Sequence, residues 1–108
     1  MAIDAVSVMI QAVVDDDVCP RILACSLIDV DGEEHWFIEK EAVLLTAGFS
    51  VSSAYPQPAR LACVVQKRWT DENGRQLVIV STTQPWGTDS ITGVSNFKVS
   101  AAQIVQLA

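Results

Sequence analysis

Apolar and polar residues alternate over much of the chain, and the first clear run is DAVSVMIQAVV, residues 4–14. Alternation puts Val6, Val8, Ile10, Ala12 and Val14 on one face of a strand. The same run also fits a helix, with Asp4 as N-cap and Ser7, Gln11 and Asp15 on a polar stripe. Four of the five alternating residues are β-branched and lose side-chain freedom in a helix, which favours the strand. Asp15, Asp16 and Asp17 then read as a solvated turn, because calcium loops alternate their ligands and need a glycine and a distal glutamate.

The strongest local signal is Arg21 to Lys40, RILACSLIDVDGEEHWFIEK, two apolar-rich runs joined by Asp31-Gly32. A two-residue type I′ turn there sets Val30 opposite Glu33, Ile28 opposite His35, Leu27 opposite Trp36 and Cys25 opposite Ile38. The expected core face is then Leu23, Cys25, Leu27, Trp36 and Ile38, with Val6, Val8 and Ile10 from the first strand. A further edge follows at Ala42 to Leu45, and Ala47 to Pro58 reads as a long loop because two prolines withhold ladder donors. Phe49 and Tyr55 in it either pack on the core or form a surface.

A second hairpin spans Arg60 to Thr83, with Asp71-Glu72-Asn73-Gly74 at its tip. A left-handed Gly74 would set Trp69 opposite Leu77, with Val78 and Val80 facing the same way as Arg68 and Gln66. Leu23-Ala24-Cys25 and Leu61-Ala62-Cys63 look alike, but so short a match reads as two strands drawn from one small alphabet rather than as a duplicated hairpin. Gln84 to Ser90 is a turn, Ile91 to Val99 a last strand, and Ser100 with Gln103 matches the capping box of a short C-terminal helix. The expected fold is all-β and mainly antiparallel, a small barrel or sandwich of about six strands built from two long hairpins with that helix at its end. Residues 1–108 form one domain with a radius of gyration of roughly 13 Å.

Thirteen acidic against seven basic residues give a net charge of −6, which repels phosphate backbones and makes a nucleic-acid partner a poor fit. No apolar run is long enough for a membrane span and the N-terminus lacks a basic flank, so a cytoplasmic protein is expected. Cys19, Cys25 and Cys63 are an odd count without CxxC spacing. Cys25 and Cys63 read as buried small hydrophobes.

Hydrolase, zincin and phosphate-loop motifs are missing, and one histidine, His35, cannot supply a multi-histidine metal site. No cofactor, metal or catalytic residue is expected. The first functional reading is a non-enzymatic protein-interaction module, such as a small acidic inhibitor, immunity-type or accessory protein, whose partner is another and possibly basic protein. Its candidate binding residues are Trp86, Asp89, Tyr55 and Phe49. Pro85 and Gly87 place the Trp86 indole in a loop, where it either folds back on the barrel rim or is presented as an anchor. The alternative is a small-molecule-binding or catalytic barrel whose open end is lined by Trp36, Trp69 and Cys63. The sequence does not define the oligomeric state.

Overall fold

The computed structural model describes residues 3–45 and 49–107; Ala47 and Gly48 of the expected loop lie outside the described residues, as do the extreme ends of the expected domain. Its strands are β1 (Ile3–Asp15), β2 (Ile22–Ile28), β3 (Glu34–Lys40), β4 (Leu44–Leu45), β5 (Gln57–Thr70), β6 (Gln76–Ser81), β7 (Asn96–Ser100) and β8 (Ile104–Leu107). They form an antiparallel sheet in the order β3-β2-β1-β5-β6-β7 that curls into a half-barrel, with β4 added to β5 and β8 added to β1. Eight strands replace the six expected, and the strand expected at Ile91 to Val99 is β7, which begins only at Asn96.

The expected C-terminal helix is absent among the described residues. Ser100 and Gln103 do close a capping box, yet it caps a single 3-10 turn, Ala101–Gln103, before the chain extends as β8. So short a helix is marginal in isolation, whereas the β-branched Ile104 and Val105 gain ladder partners in Val6 and Ala5.

β1 is a strand, as its β-branched residues suggest. Val6, Val8 and Ile10 point into the core with Leu23, Cys25 and Leu27. Ala12 and Val14 do not, because a bulge at Gln11 shifts the β1–β2 pairing from Ile10↔Cys25 to Ala12↔Ala24 and exchanges the faces beyond it.

The first hairpin is one residue out of its expected register. Leu27 pairs with His35, Ser26 with Trp36 and Cys25 with Phe37, so Phe37 is fully buried while Trp36 and Ile38 face outward. The cause is the turn. It is a three-residue loop in which the Gly32 N–H donates to the Asp29 carbonyl at 3.0 Å, the Asp29 N–H donates to the Glu33 carbonyl at 2.9 Å, and Gly32 takes a φ of 82°. Asp29 caps it by accepting the N–H groups of Asp31 and Glu33 on Oδ1.

The second hairpin repeats this turn with Asp71, Gly74 and Arg75, and Trp69 lies opposite Leu77 as expected. A bulge at Gln66 brings Val65, not Gln66, opposite Val80. Ser90 to Val94 is a third copy, with the Ser90 hydroxyl in the role of the aspartate.

The registers also reveal an internal repeat. The β1–β2 pairs Met9↔Ser26, Ile10↔Cys25, Ala12↔Ala24 and Val13↔Leu23 recur in β5–β6, shifted by 55 positions, as Val64↔Ser81, Val65↔Val80, Lys67↔Ile79 and Arg68↔Val78. The bulge recurs with them, at Gln11 and Gln66. Cys25↔Phe37 recurs as Val80↔Phe97, and the 3-10 turn Glu41–Val43 recurs as Ala101–Gln103. The two halves therefore share one design, but it equates Cys25 with Val80 and not with Cys63, so the similar Leu-Ala-Cys triplets are unrelated positions. A pseudo-two-fold axis passes through the pair Val6↔Leu61, where β1 and β5 run antiparallel. Each half lends its last strand to the other: β4 pairs with β5 of the second half, and β8 with β1 of the first.

Candidate interaction surface

The halves differ most in the connection between their second and third strands. In the first half five residues, Asp29 to Glu33, turn directly from β2 to β3. In the second, the pairing of Thr82 with Ser95 marks the equivalent point, and the chain from Thr83 to Val94 makes a loop and a turn before β7. Two buried threonines clamp this segment. The Thr82 hydroxyl donates to the Thr88 carbonyl at 2.8 Å, and the Thr88 hydroxyl donates to the Thr82 carbonyl at 2.9 Å. The Gly87 N–H reaches back to the Thr83 carbonyl at 2.7 Å, and Gly87 has a φ of 68°. The loop between the clamps is thereby closed on itself.

Trp86 sits in that loop and is 54% exposed, so its ring does not seal the barrel rim. Asp89 is exposed beyond the clamp, and Ile91 in the following turn is 63% exposed. The Ile91 N–H donates to the Trp36 carbonyl at 2.8 Å, which fastens the segment to β3. Burial, and after it the Asp89 carboxylate, pushes the Glu39 carboxyl of β3 above its ordinary value. The β-branched Ile91 reads as a strand residue in the sequence; the signal for its turn is a capping side chain three residues before a glycine, Ser90 before Gly93 as Asp29 before Gly32 and Asp71 before Gly74.

Phe49 and Tyr55 form a second pair. Their rings lie 6.4 Å apart, both are half-buried against the core cluster, and the Arg21 guanidinium lies 6.0 Å from the Phe49 ring. The Tyr55 hydroxyl donates to the Val51 carbonyl, which folds the loop on itself. These two residues cover the core.

Asp29, Glu33 and His35 bring ligand-type atoms within 4.8 Å of one another. Asp29 is already committed to structure. Its Oδ2 lies 2.8 Å from His35 Nε2 and its Oδ1 caps the turn, a task that Asp71 performs equally at the other tip. Burial raises the Asp29 carboxyl, but hydrogen bonds from His35 and from the N–H groups of Glu33 and Asp31 outweigh it and hold the group below its ordinary value. The His35 ring also packs edge-on against Phe97, with centroids 4.9 Å apart. This cluster therefore has a complete structural explanation.

Burial pushes the Cys25 and Cys63 thiols up to about 12, with Glu39 and Asp4 adding to the effect, so both stay protonated at neutral pH and serve as core residues. Trp36, Trp69 and Cys63 do not line one opening. Trp36 faces outward and donates to Glu34, Trp69 borders a shallow hollow with Arg68 and Leu77, and Cys63 borders another with Gln84 and Pro85. No helix among the described residues is long and apolar enough to cross a membrane. Compared with protein-family models, curated proteins and solved structures, the chain matches none of them significantly.

Proposed function

We propose that the chain is a non-enzymatic protein-interaction module, an accessory or inhibitor-like protein, that meets another protein through Trp86 together with Asp89 and Ile91, exposed in the same segment. The observation that carries this reading is the break in the internal repeat: the segment by which one half exceeds the other is clamped by buried hydroxyls and holds an indole in solvent. A large aromatic held in a closed loop loses little conformational entropy on binding and offers both apolar area and an N–H donor. Asp89 adds a carboxylate for a basic group on the partner.

The test is capture from an extract of the source organism on immobilised protein, comparing the unmodified chain with Trp86→Ala and Trp69→Phe. One protein retained by the unmodified chain and by Trp69→Phe, and lost with Trp86→Ala, is the expected result. A partner held equally by Trp86→Ala contradicts the reading.

A further inference from the structure

Because β1 and β5 run antiparallel through the pseudo-two-fold axis, their far ends leave the body in opposite directions as two hairpin arms, and the molecule measures 48 × 30 × 26 Å. Each arm has a strand edge without a ladder partner among the described residues. β1 pairs with β5 up to Ile10, and among the described residues Gln11 to Asp15 bond β2 on one side alone; β5 pairs with β1 up to Cys63, and among the described residues Gln66 to Thr70 bond β6 on one side alone.

The repeat matches these edges as far as Val13 and Arg68, beyond which β1 alone has a second bulge at Val14. Their charges differ: the second arm sets Lys67 and Arg68 against Glu72 at its tip, where Asp71 is held by Arg75. Ala12 and Val13 of the first arm correspond to Lys67 and Arg68 of the second, and neither cation has an ion-pair partner among the described residues. The first arm ends instead in Asp15, Asp16 and Asp17, also without ion-pair partners there, while Arg21, at the same tip, is taken by Glu41. Apolar surface accompanies both sets of charges: Val14 and Val18 are exposed on the acidic arm, Val64 is exposed on the basic arm, and Lys67 lies 5.0 Å from the Trp69 ring.

Charges on an open strand edge ordinarily prevent pairing. Here like arms repel each other, whereas unlike arms attract, so the guard works only against contacts between identical arms. We propose that copies of this chain associate head to tail, the basic β5 edge of one copy adding to the acidic β1 edge of the next. A contact between two different surfaces does not close at a dimer, and it continues as a ring or a filament. These surfaces share no residue with the Trp86 segment, so this proposal and the proposed function can fail independently.

Sedimentation equilibrium of the full chain over roughly 10 μM to 1 mM, at about 0.02 M and about 0.5 M salt, tests it, since screening shortens the reach of charge pairs. At low salt the average mass is expected to climb beyond the dimer with concentration, and at high salt to return toward the monomer. The Lys67→Glu/Arg68→Glu variant, with two acidic arms, and the Asp15→Lys/Asp16→Lys/Asp17→Lys variant, with two basic arms, should each stay monomeric alone and associate when mixed. A monomer at every concentration in low salt overturns the proposal. So does a closed dimer that persists through both charge reversals.

Discussion

The two halves of this molecule share their pairing registers as far as Val13 and Arg68, the bulges at Gln11 and Gln66 and their 3-10 turns, yet in the matched strands identical residues are few, among them Gln11 and Gln66, Ser26 and Ser81, and Phe37 and Phe97. What they hold in common is the alternation of inward apolar positions and the point at which a bulge reverses it. Their differences are concentrated outside that pattern, in the Thr82 to Val94 segment and in the charges of the arms. The repeat is therefore scaffold, and the parts that distinguish one half from the other are where recognition is to be sought.

The comparison is broken most severely at the aromatic pair that both halves contribute. Phe37 and Phe97 occupy equivalent places with ring centroids 5.6 Å apart, and each replaced by alanine is expected to cost about 3–5 kcal/mol in denaturant unfolding. The double variant should cost less than the sum, since each ring packs on the other. Trp36→Ala, on the outer face, should cost far less than Phe37→Ala; equal losses would restore the register in which Trp36 is buried.

Thr82→Val comes next. It removes the hydroxyl that reaches the Thr88 carbonyl and leaves a buried acceptor unpaired, at about 1–3 kcal/mol by the same measurement. Its equivalent in the first half is Leu27, an apolar residue, so the polar clamp belongs to the second half alone.

The turns sharpen the likeness. Gly74 has a φ of 81° and open space where a side chain would stand, so Gly74→Val is expected to cost about 1–2 kcal/mol through the backbone alone, and Gly32→Val a similar amount. Gly74→Asn should cost less, because asparagine tolerates the left-handed region. If asparagine proves as harmful as valine, the turn assignment is wrong.

The smallest effect concerns acid. The Asp29 carboxyl is held below its ordinary value in the folded chain, so its contribution is present above the unfolded carboxylate value of roughly 4 and is lost as pH falls through the lower folded value. The loss of stability on acidification should therefore be shallower in Asp29→Asn than in the unmodified chain. An unchanged acid limb would mean that the group contributes nothing.

The strand at residues 3–15, the second turn and the loop at Trp86 are legible because each is written in local chemistry: β-branched alternation, an aspartate three residues before a glycine, and a Pro-Trp-Gly run; whether the indole in that loop is covered is not. The first hairpin was misplaced because Asp31-Gly32 satisfies a two-residue turn, while the carboxylate that decides the register is two residues earlier, at Asp29. The exchange of β4 and β8 between halves was not legible, since the capping box that introduces β8 is the same signal that begins a helix. Nor was the threonine clamp, whose two hydroxyls meet only through the tertiary path of the loop. Within the candidate site, Trp86 and Asp89 could be named from sequence and Ile91 could not. Phe49 and Tyr55 were named, but they lie against the core.

The most direct test of the account is the fluorescence of Trp86 as the sole tryptophan, in a Trp36→Phe/Trp69→Phe chain shown to fold. Both replaced residues lie outside the core cluster, so the substitution leaves it intact. The account predicts long-wavelength emission that acrylamide quenches readily in the isolated protein, and a blue shift with loss of quenching when the captured partner is added. Blue-shifted emission that resists acrylamide before any partner is present would place the indole in the interior and contradict it.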